Sequence, residues 1–201
     1  MLKVGLTGGL ACGKSFVGQA LAGLGCHLIE ADELGHEVLS PGGEAYADVV
    51  REFGPGILKA DGSIDRKRLA AEVFDNPERL QKLNGLVHPH VFRRERKLIE
   101  QYARNDPEGI VVVGAAILIE TGSYKQYDRL ILVECDEGLQ IERALKRDHA
   151  DAQEVRARLQ RQMPLAEKRK FADFVINTSG SKEETLHRVR EVYEALRRVK
   201  Q

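Results

Sequence analysis

The sequence predicts an α/β protein built on a doubly wound, parallel, five-stranded sheet. Short apolar runs alternate along the chain with stretches of helical periodicity, the pattern of successive strand–helix units. The run Ile110–Ala116 lacks the polar alternation of a strand with one wet face, which suits a sheet covered on both sides. Residues Gly8–Ser15 read GGLACGKS, matching the phosphate-binding pattern GxxxxGK[ST], directly after the apolar run Leu2–Leu6.

Leu2–Leu6 is the first strand, and Phe16, Val17, Ala20, Leu21 and Leu24 recur at the spacing of one helix face after the glycine-rich loop. Cys26–Glu30 is a short second strand, followed closely by Asp32. The chain then changes texture. Pro41-Gly42-Gly43, Gly54-Pro55-Gly56 and Asp61-Gly62 mark turns, while Asp65 and Asn76 are N-cap candidates for helices over Arg66–Phe74 and Pro77–Leu83. Pro89 is expected to open a further amphipathic helix through Val91, Phe92, Leu98, Ile99 and Tyr102. This block is too long for a simple crossover, so 32–108 reads as a helical insertion within a single domain, 1–201, able to wall one side of a cleft. Ile110–Ala116 and Arg129–Glu134 are the third and fourth strands, and Gln140–Arg147 is the next helix. The charge-dense segment 146–171 fits a lid that excludes water, before Phe174–Ile176 returns to a strand. Ser181-x-x-Glu184 is a capping box opening a last helix with Leu186, Val189, Val192, Tyr193 and Leu196 on one face.

The 201 residues, 42% of them hydrophobic, suffice for one core or a core with a smaller inserted subdomain. With 31 basic and 31 acidic residues there is no chain-wide field to draw the protein to nucleic acid or an anionic membrane. The apolar segment 110–119 falls well short of the roughly 20 residues that span a bilayer. The loop follows the amino terminus too closely for a removable secretory segment, so a cytoplasmic protein is expected, and the neutral, mixed surface permits a monomer. Cys12, Cys26 and Cys135 show no CxxC spacing, which argues against a disulfide framework or a zinc site. Cys12 either fills a variable loop position or, beside Lys14 and a helix N-terminus, has a lowered pKa and a thiol whose oxidation blocks nucleotide binding.

A loop of this composition turns backbone N–H groups toward one point, and a helix N-terminus behind it adds donors and dipole. Gly8, Gly9, Leu10, Ala11, Cys12, Gly13, Lys14, Ser15 and Phe16 are therefore expected to hold the phosphates of ATP, with Lys14 at the outer phosphates and the Ser15 hydroxyl on Mg²⁺. Asp32, just past the second strand, can accept a proton from an attacking hydroxyl, bind that hydroxyl, hold Mg²⁺ through water, or cap a helix over Glu33–Leu39. Arg143 and Arg147 lie four apart and share a helix face that can meet the charge of a moving phosphoryl group. His88-Pro89-His90 lacks a third ligand and reads as packing. The third strand, Ile110–Gly114, lacks the terminal aspartate of a Walker B element, leaving Mg²⁺ to Ser15, phosphate oxygens and water, with help from Asp32.

Taken together, VGLTGGLACGKS at Val4–Ser15, IEADELGHEVLSPGG at Ile29–Gly43, DGSIDRKRLAAEVF at Asp61–Phe74, LVHPHV at Leu86–Val91, QIERALKRD at Gln140–Asp148 and ADFVINTSG at Ala172–Gly180 give a chain that resembles the dephospho-CoA kinase family nearly end to end. The resemblance implies a P-loop fold related to nucleoside monophosphate kinases, with a helical domain for the CoA substrate and a lid. It implies phosphorylation of the ribose 3′-hydroxyl of dephospho-CoA by ATP, with Asp32 as acceptor-side base, Arg143 and Arg147 on phosphates, and Asn177 near the adenine. Two departures stand out. Ala116 replaces the proline of the family's PLL(F/V)E stretch, a loss expected to relax that loop, and Cys12 replaces a serine, glycine or alanine. A different small-molecule kinase and a nucleotide-dependent switch protein remain the alternative readings.

Overall fold

A computed structural model of the protein describes residues 1–74, 76–148 and 151–199. The chain forms two compact units, one of Met1–Glu30 with Tyr102–Gln201 and one of Ala31–Gln101.

The first unit carries five parallel strands, β1 (Leu2–Gly8), β2 (His27–Glu30), β3 (Ile110–Gly114), β4 (Arg129–Glu134) and β5 (Phe174–Asn177), in the order β2-β3-β1-β4-β5. Helix α1 (Lys14–Gly23) follows β1, and α9 (Lys182–Val199) closes the chain. Val4, Leu6, Val112, Ile131 and Val133 pack in one cluster with Val17 and Leu21 of α1 and Val189, Val192 and Leu196 of α9. Each such aliphatic side chain contributes about 1.5–3 kcal/mol by leaving water. The intervening strand residues Val111, Val113, Leu130 and Leu132 are equally buried, so both faces of the sheet are covered as the uninterrupted apolar runs require. Because β1 is central and the chain leaves it first toward β2 and later toward β4, the loop after β1 stands where ligands bind in open α/β sheets. The capping box forms as the spacing predicts: Glu184 N donates to Ser181 Oγ (3.1 Å) and Ser181 N to Glu184 Oε2 (2.7 Å).

The second unit is helical: α2 (Ala31–Val38), α3 (Tyr46–Phe53), α4 (Arg66–Phe74) and most of α5 (Pro77–Asn105). Asp65 caps α4 by accepting from Lys67 N and Arg68 N, and Asn76 caps α5 by accepting from Arg79 N. One expectation fails here. Pro89 does not open a helix but lies inside α5, which runs through it. The missing N–H costs a single bond to the carbonyl of Gly85, four residues back. Amphipathic packing on Val87 and Val91, either side of the proline, outweighs that loss.

In the first unit, β4 leads to α6 (Glu137–Asp148), α7 (Ala152–Gln160) and α8 (Leu165–Lys168) before β5. The segment 146–171 expected as a lid includes residues 149 and 150, which lie outside the described residues.

Candidate active site

Gly8 ends β1 and Lys14 begins α1, so Gly9–Gly13 is the whole turn between them. Two left-handed residues, Ala11 (φ 55°) and Gly13 (φ 82°), flank Cys12, and Cys12 N donates to Gly9 O at 3.2 Å. Such backbone reversals aim successive N–H groups into one concavity. For Ala11 the left-handed conformation costs roughly 1 kcal/mol, a strain that surrounding bonds must hold. Gly9 is closely approached: a Cβ there would sit 2.4 Å from Gln140 Nε2 and would displace that amide. That amide instead donates to Leu10 O at 2.8 Å, while Leu10 N donates to Gln162 Oε1 at 2.9 Å.

Lys14 Nζ lies 2.9 Å from Glu30 Oε2, with both side chains largely buried. Glu30 ends β2 and pairs in register with Gly114 at the end of β3. A Cβ on Gly114 would meet Glu30 Oε2 at 2.5 Å and Lys14 Nζ at 3.2 Å. The carboxylate beside the loop lysine therefore comes from β2, and the bare end of β3 makes room for it.

Ser15 and Phe16 are exposed at the start of α1, leaving the hydroxyl open to a ligand. Asp32 is exposed in the first turn of α2, two residues along the chain from Glu30. Since α2 starts at Ala31, Asp32 is helical rather than the cap of a helix starting at Glu33, and its N-cap reading is overturned.

Arg143 in α6 is half-buried and donates to Thr178 Oγ1 (3.1 Å) and Thr178 O (2.8 Å). Thr178 Oγ1 in turn donates to Cys12 O at 2.8 Å, so this arginine is tied to the loop through one buried threonine. Arg147, one turn on, is exposed. Asn177, at the end of β5, is also exposed, and its side-chain oxygen accepts from Ser179 N at 2.7 Å.

Of the two readings of Cys12, the lowered pKa is overturned. Cys12 Sγ is buried 3.5 Å from Cys135 Sγ, and the hydrogen bond between the sulfurs, followed by burial, holds the Cys12 thiol well above its ordinary range. The same hydrogen bond, aided by the Arg143 charge and a Thr178 hydrogen bond and opposed by burial, brings Cys135 down to about 7.

The loop after β3 is held despite Ala116 replacing a proline. Ala116 O accepts from Thr7 Oγ1 (3.1 Å) and Lys168 Nζ (3.1 Å). His88 packs at a tilt against Phe92, with ring centroids 5.8 Å apart, and burial lowers its pKa. Among the described residues no group of three or more His, Cys, Asp and Glu side chains is placed to hold a metal. In the helical unit a cleft of about 350 Å³ is lined by Leu34, Glu44, Arg94 and Lys97. Arg94 grips Glu44 in a two-pronged pair (2.9 and 2.8 Å), whose hydrogen bonds pull that carboxyl down to about 2.

Glu30, Gln140, Gln162, Lys168 and Thr178 belong to this site, and the sequence assigns none of them a role. Glu30, Gln140 and Thr178 lie within the segments that carry the family resemblance, whereas Gln162 and Lys168 lie outside them.

The model of the dephospho-CoA kinase family matches residues 2–184. A dephospho-CoA kinase of Aquifex aeolicus is 40% identical over 98% of this chain and 99% of its own length. Among solved structures, TT1252 from Thermus thermophilus aligns with a TM-score of 0.82 at 31% identity, over 96% of both chains. Dephospho-CoA kinase from Campylobacter jejuni aligns with a TM-score of 0.60 at 26% identity, over 96% of both chains. Likeness that runs through the loop, the inserted helices and the last strand, rather than through the nucleotide motif alone, means that the chain belongs to the dephospho-CoA kinase family.

Proposed function

We propose that the chain transfers the γ-phosphoryl group of ATP to the 3′-hydroxyl of dephospho-CoA, giving ADP and CoA. The observation that carries this reading is the loop Gly8–Ser15, with Lys14 poised on Glu30 and Arg143 tied to the loop through Thr178, in a chain of the dephospho-CoA kinase family.

The loop N–H groups bind the phosphates, and Lys14 exchanges the single charge of Glu30 for the greater charge of the triphosphate. Asp32 takes the proton of the acceptor hydroxyl as its oxygen bonds to the γ-phosphorus, and the bond from that phosphorus to the β-phosphate oxygen breaks to release ADP. Arg143 and Arg147 face the charge spread over the moving group, and Asn177 lies by the adenine. The donors present fit Mg²⁺, which takes hard oxygen ligands and keeps several waters: the Ser15 hydroxyl and the Glu30 carboxylate would hold it. When bound, the ion neutralises phosphate charge. Segment 146–171 serves as a lid, and the helical insertion 32–108 receives the acceptor. The reading needs no membrane, nucleic acid or second copy of the chain, and no described helix is long and apolar enough to cross a membrane. Both substrates are water-soluble, which suits a cytoplasmic monomer.

The test is product mass after incubation with ATP, Mg²⁺ and dephospho-CoA, with AMP, nucleosides, shikimate and gluconate as competing acceptors. One phosphoryl group added to dephospho-CoA alone is expected. Transfer to another acceptor keeps the kinase and rejects the substrate, and tight ATP binding without any transfer favours the switch reading.

A further inference from the structure

Lys168 holds a charged amine at complete burial, 0% exposed, in the four-residue helix α8. Its Nζ lies 2.8 Å from Glu120 Oε1, donates to Ala116 O at 3.1 Å and reaches Gly8 O at 3.5 Å. An ammonium has three donors, and here each meets a different acceptor. Burying this charge costs several kcal/mol per ion, and an apolar side chain of similar volume often gives a more stable core, so bulk stability alone does not explain a lysine here. What the three acceptors share is position. Gly8 opens the phosphate loop, while Ala116 and Glu120 bound the loop after β3.

Neighbouring bonds run the same way. Gln162, six residues before Lys168, accepts from Leu10 N at 2.9 Å, and Glu120 Oε1 accepts from Met163 N at 3.2 Å. The stretch 162–168 thus touches the phosphate loop at its first and third residues and is itself anchored on Glu120. Leu165 of the same stretch packs against the core cluster that includes Cys12, so apolar contact and these polar bonds together join it to the loop.

We propose that Lys168 is a positioning residue for phosphoryl transfer: by holding the Gly8 and Ala116 carbonyls together it fixes the phosphate loop in the geometry that receives the triphosphate. Gln162 supports the same geometry from the peptide of Leu10. The proposal rests on the kinase reading, because its subject is the loop that binds ATP.

The experiment compares wild type, Lys168→Met, Lys168→Met/Glu120→Leu and Gln162→Leu by thermal melting, MgATP affinity and steady-state kinetics for each substrate. Lys168→Met strands the Glu120 charge and is expected to lower both Tm and ATP affinity. The double variant removes both charges. It is expected to recover Tm while MgATP binding stays at least fivefold weak and KM for dephospho-CoA is unchanged. Recovery of Tm and ATP affinity together would overturn the proposal, since Lys168 would then serve only to match Glu120. Gln162→Leu leaves the buried pair intact and keeps the proposal testable if the double variant fails to fold. It is expected to raise the MgATP dissociation constant at least threefold at unchanged Tm, and wild-type affinity there would likewise overturn it. MgATP affinity is read without an acceptor, so a wild type that transfers nothing to dephospho-CoA would refute the substrate while leaving the Lys168 result intact.

Discussion

Replacing Thr178 by valine isolates the link between Arg143 and the phosphate loop. Valine keeps the shape of a side chain that is 5% exposed and deletes its Oγ1, which donates to Cys12 O at 2.8 Å and accepts from Arg143 Nη1 at 3.1 Å. A buried carbonyl left without its donor costs about 1–3 kcal/mol. Arg143 keeps its 2.8 Å bond to the Thr178 carbonyl, so the guanidinium is loosened rather than released. Taking about 2 kcal/mol as the loss, kcat/KM for ATP should fall by roughly thirtyfold if all of it falls on the loop geometry that the transition state requires. Whatever part of the loss falls on the free enzyme instead lowers Tm, by about 4–8 °C for a chain of this size if all of it does. Thr178→Ser restores the oxygen and should return both quantities close to wild type. The assay is ADP release at saturating dephospho-CoA over a range of ATP, beside a thermal melt. A Thr178→Val enzyme within twofold of wild type in kcat/KM, with unchanged Tm, would refute the claim that this threonine sets the loop.

Three further outcomes follow from individual groups. Arg143→Lys should lower kcat more than tenfold, because an ammonium cannot reproduce the two-pronged hold on Thr178 and still face a phosphate; a silent substitution would remove Arg143 from the site. Glu30→Gln should raise the Mg²⁺ concentration needed for half-maximal turnover several-fold, read by a Mg²⁺ titration at fixed ATP; an unchanged requirement would leave Glu30 as a partner of Lys14 alone. Cys135 should titrate near pH 7, visible as thiolate absorbance that Cys135→Ser abolishes. Its folded pKa lies below the ordinary 9.0, so the folded state binds fewer protons in between. Its contribution to stability therefore grows as pH rises from about 7 to 9 and is lost as pH falls through 7, a slope that Cys135→Ser should flatten.

The parts of this molecule legible in its sequence are those governed by local rules. The five strands, the capping box at Ser181 and the caps Asp65 and Asn76 follow from periodicity and from side chains satisfying nearby N–H groups. Gly8–Ser15 was legible because the turn into α1 needs fixed residue types at fixed spacing. Pro89 misled because local chemistry forbids a helix interior that packing along α5 enforces. Cys12 misled for the complementary reason: Lys14 and the helix N-terminus are its neighbours in sequence, but Cys135, 123 residues away, governs its proton. Gln162 and Lys168 stayed hidden because each reaches the loop across more than 150 residues and nothing in their own surroundings announces it, and the family segment that contains Thr178 does not display its bond to Cys12. Glu30 fills the space beside Lys14 only because Gly114 is bare, a relation between two strands that the order of residues does not display.

In the proposed reaction this loop delivers a phosphoryl group to a hydroxyl whose proton goes to Asp32. The most direct measurement is single-turnover transfer from ATP to dephospho-CoA by Asp32→Asn, alongside its MgATP affinity. MgATP affinity is expected within about twofold of wild type, with transfer slowed by roughly 10² to 10⁴, the span of a lost general base. Transfer at the wild-type rate would contradict that role and leave Asp32 as a residue of the first turn of α2 and nothing more.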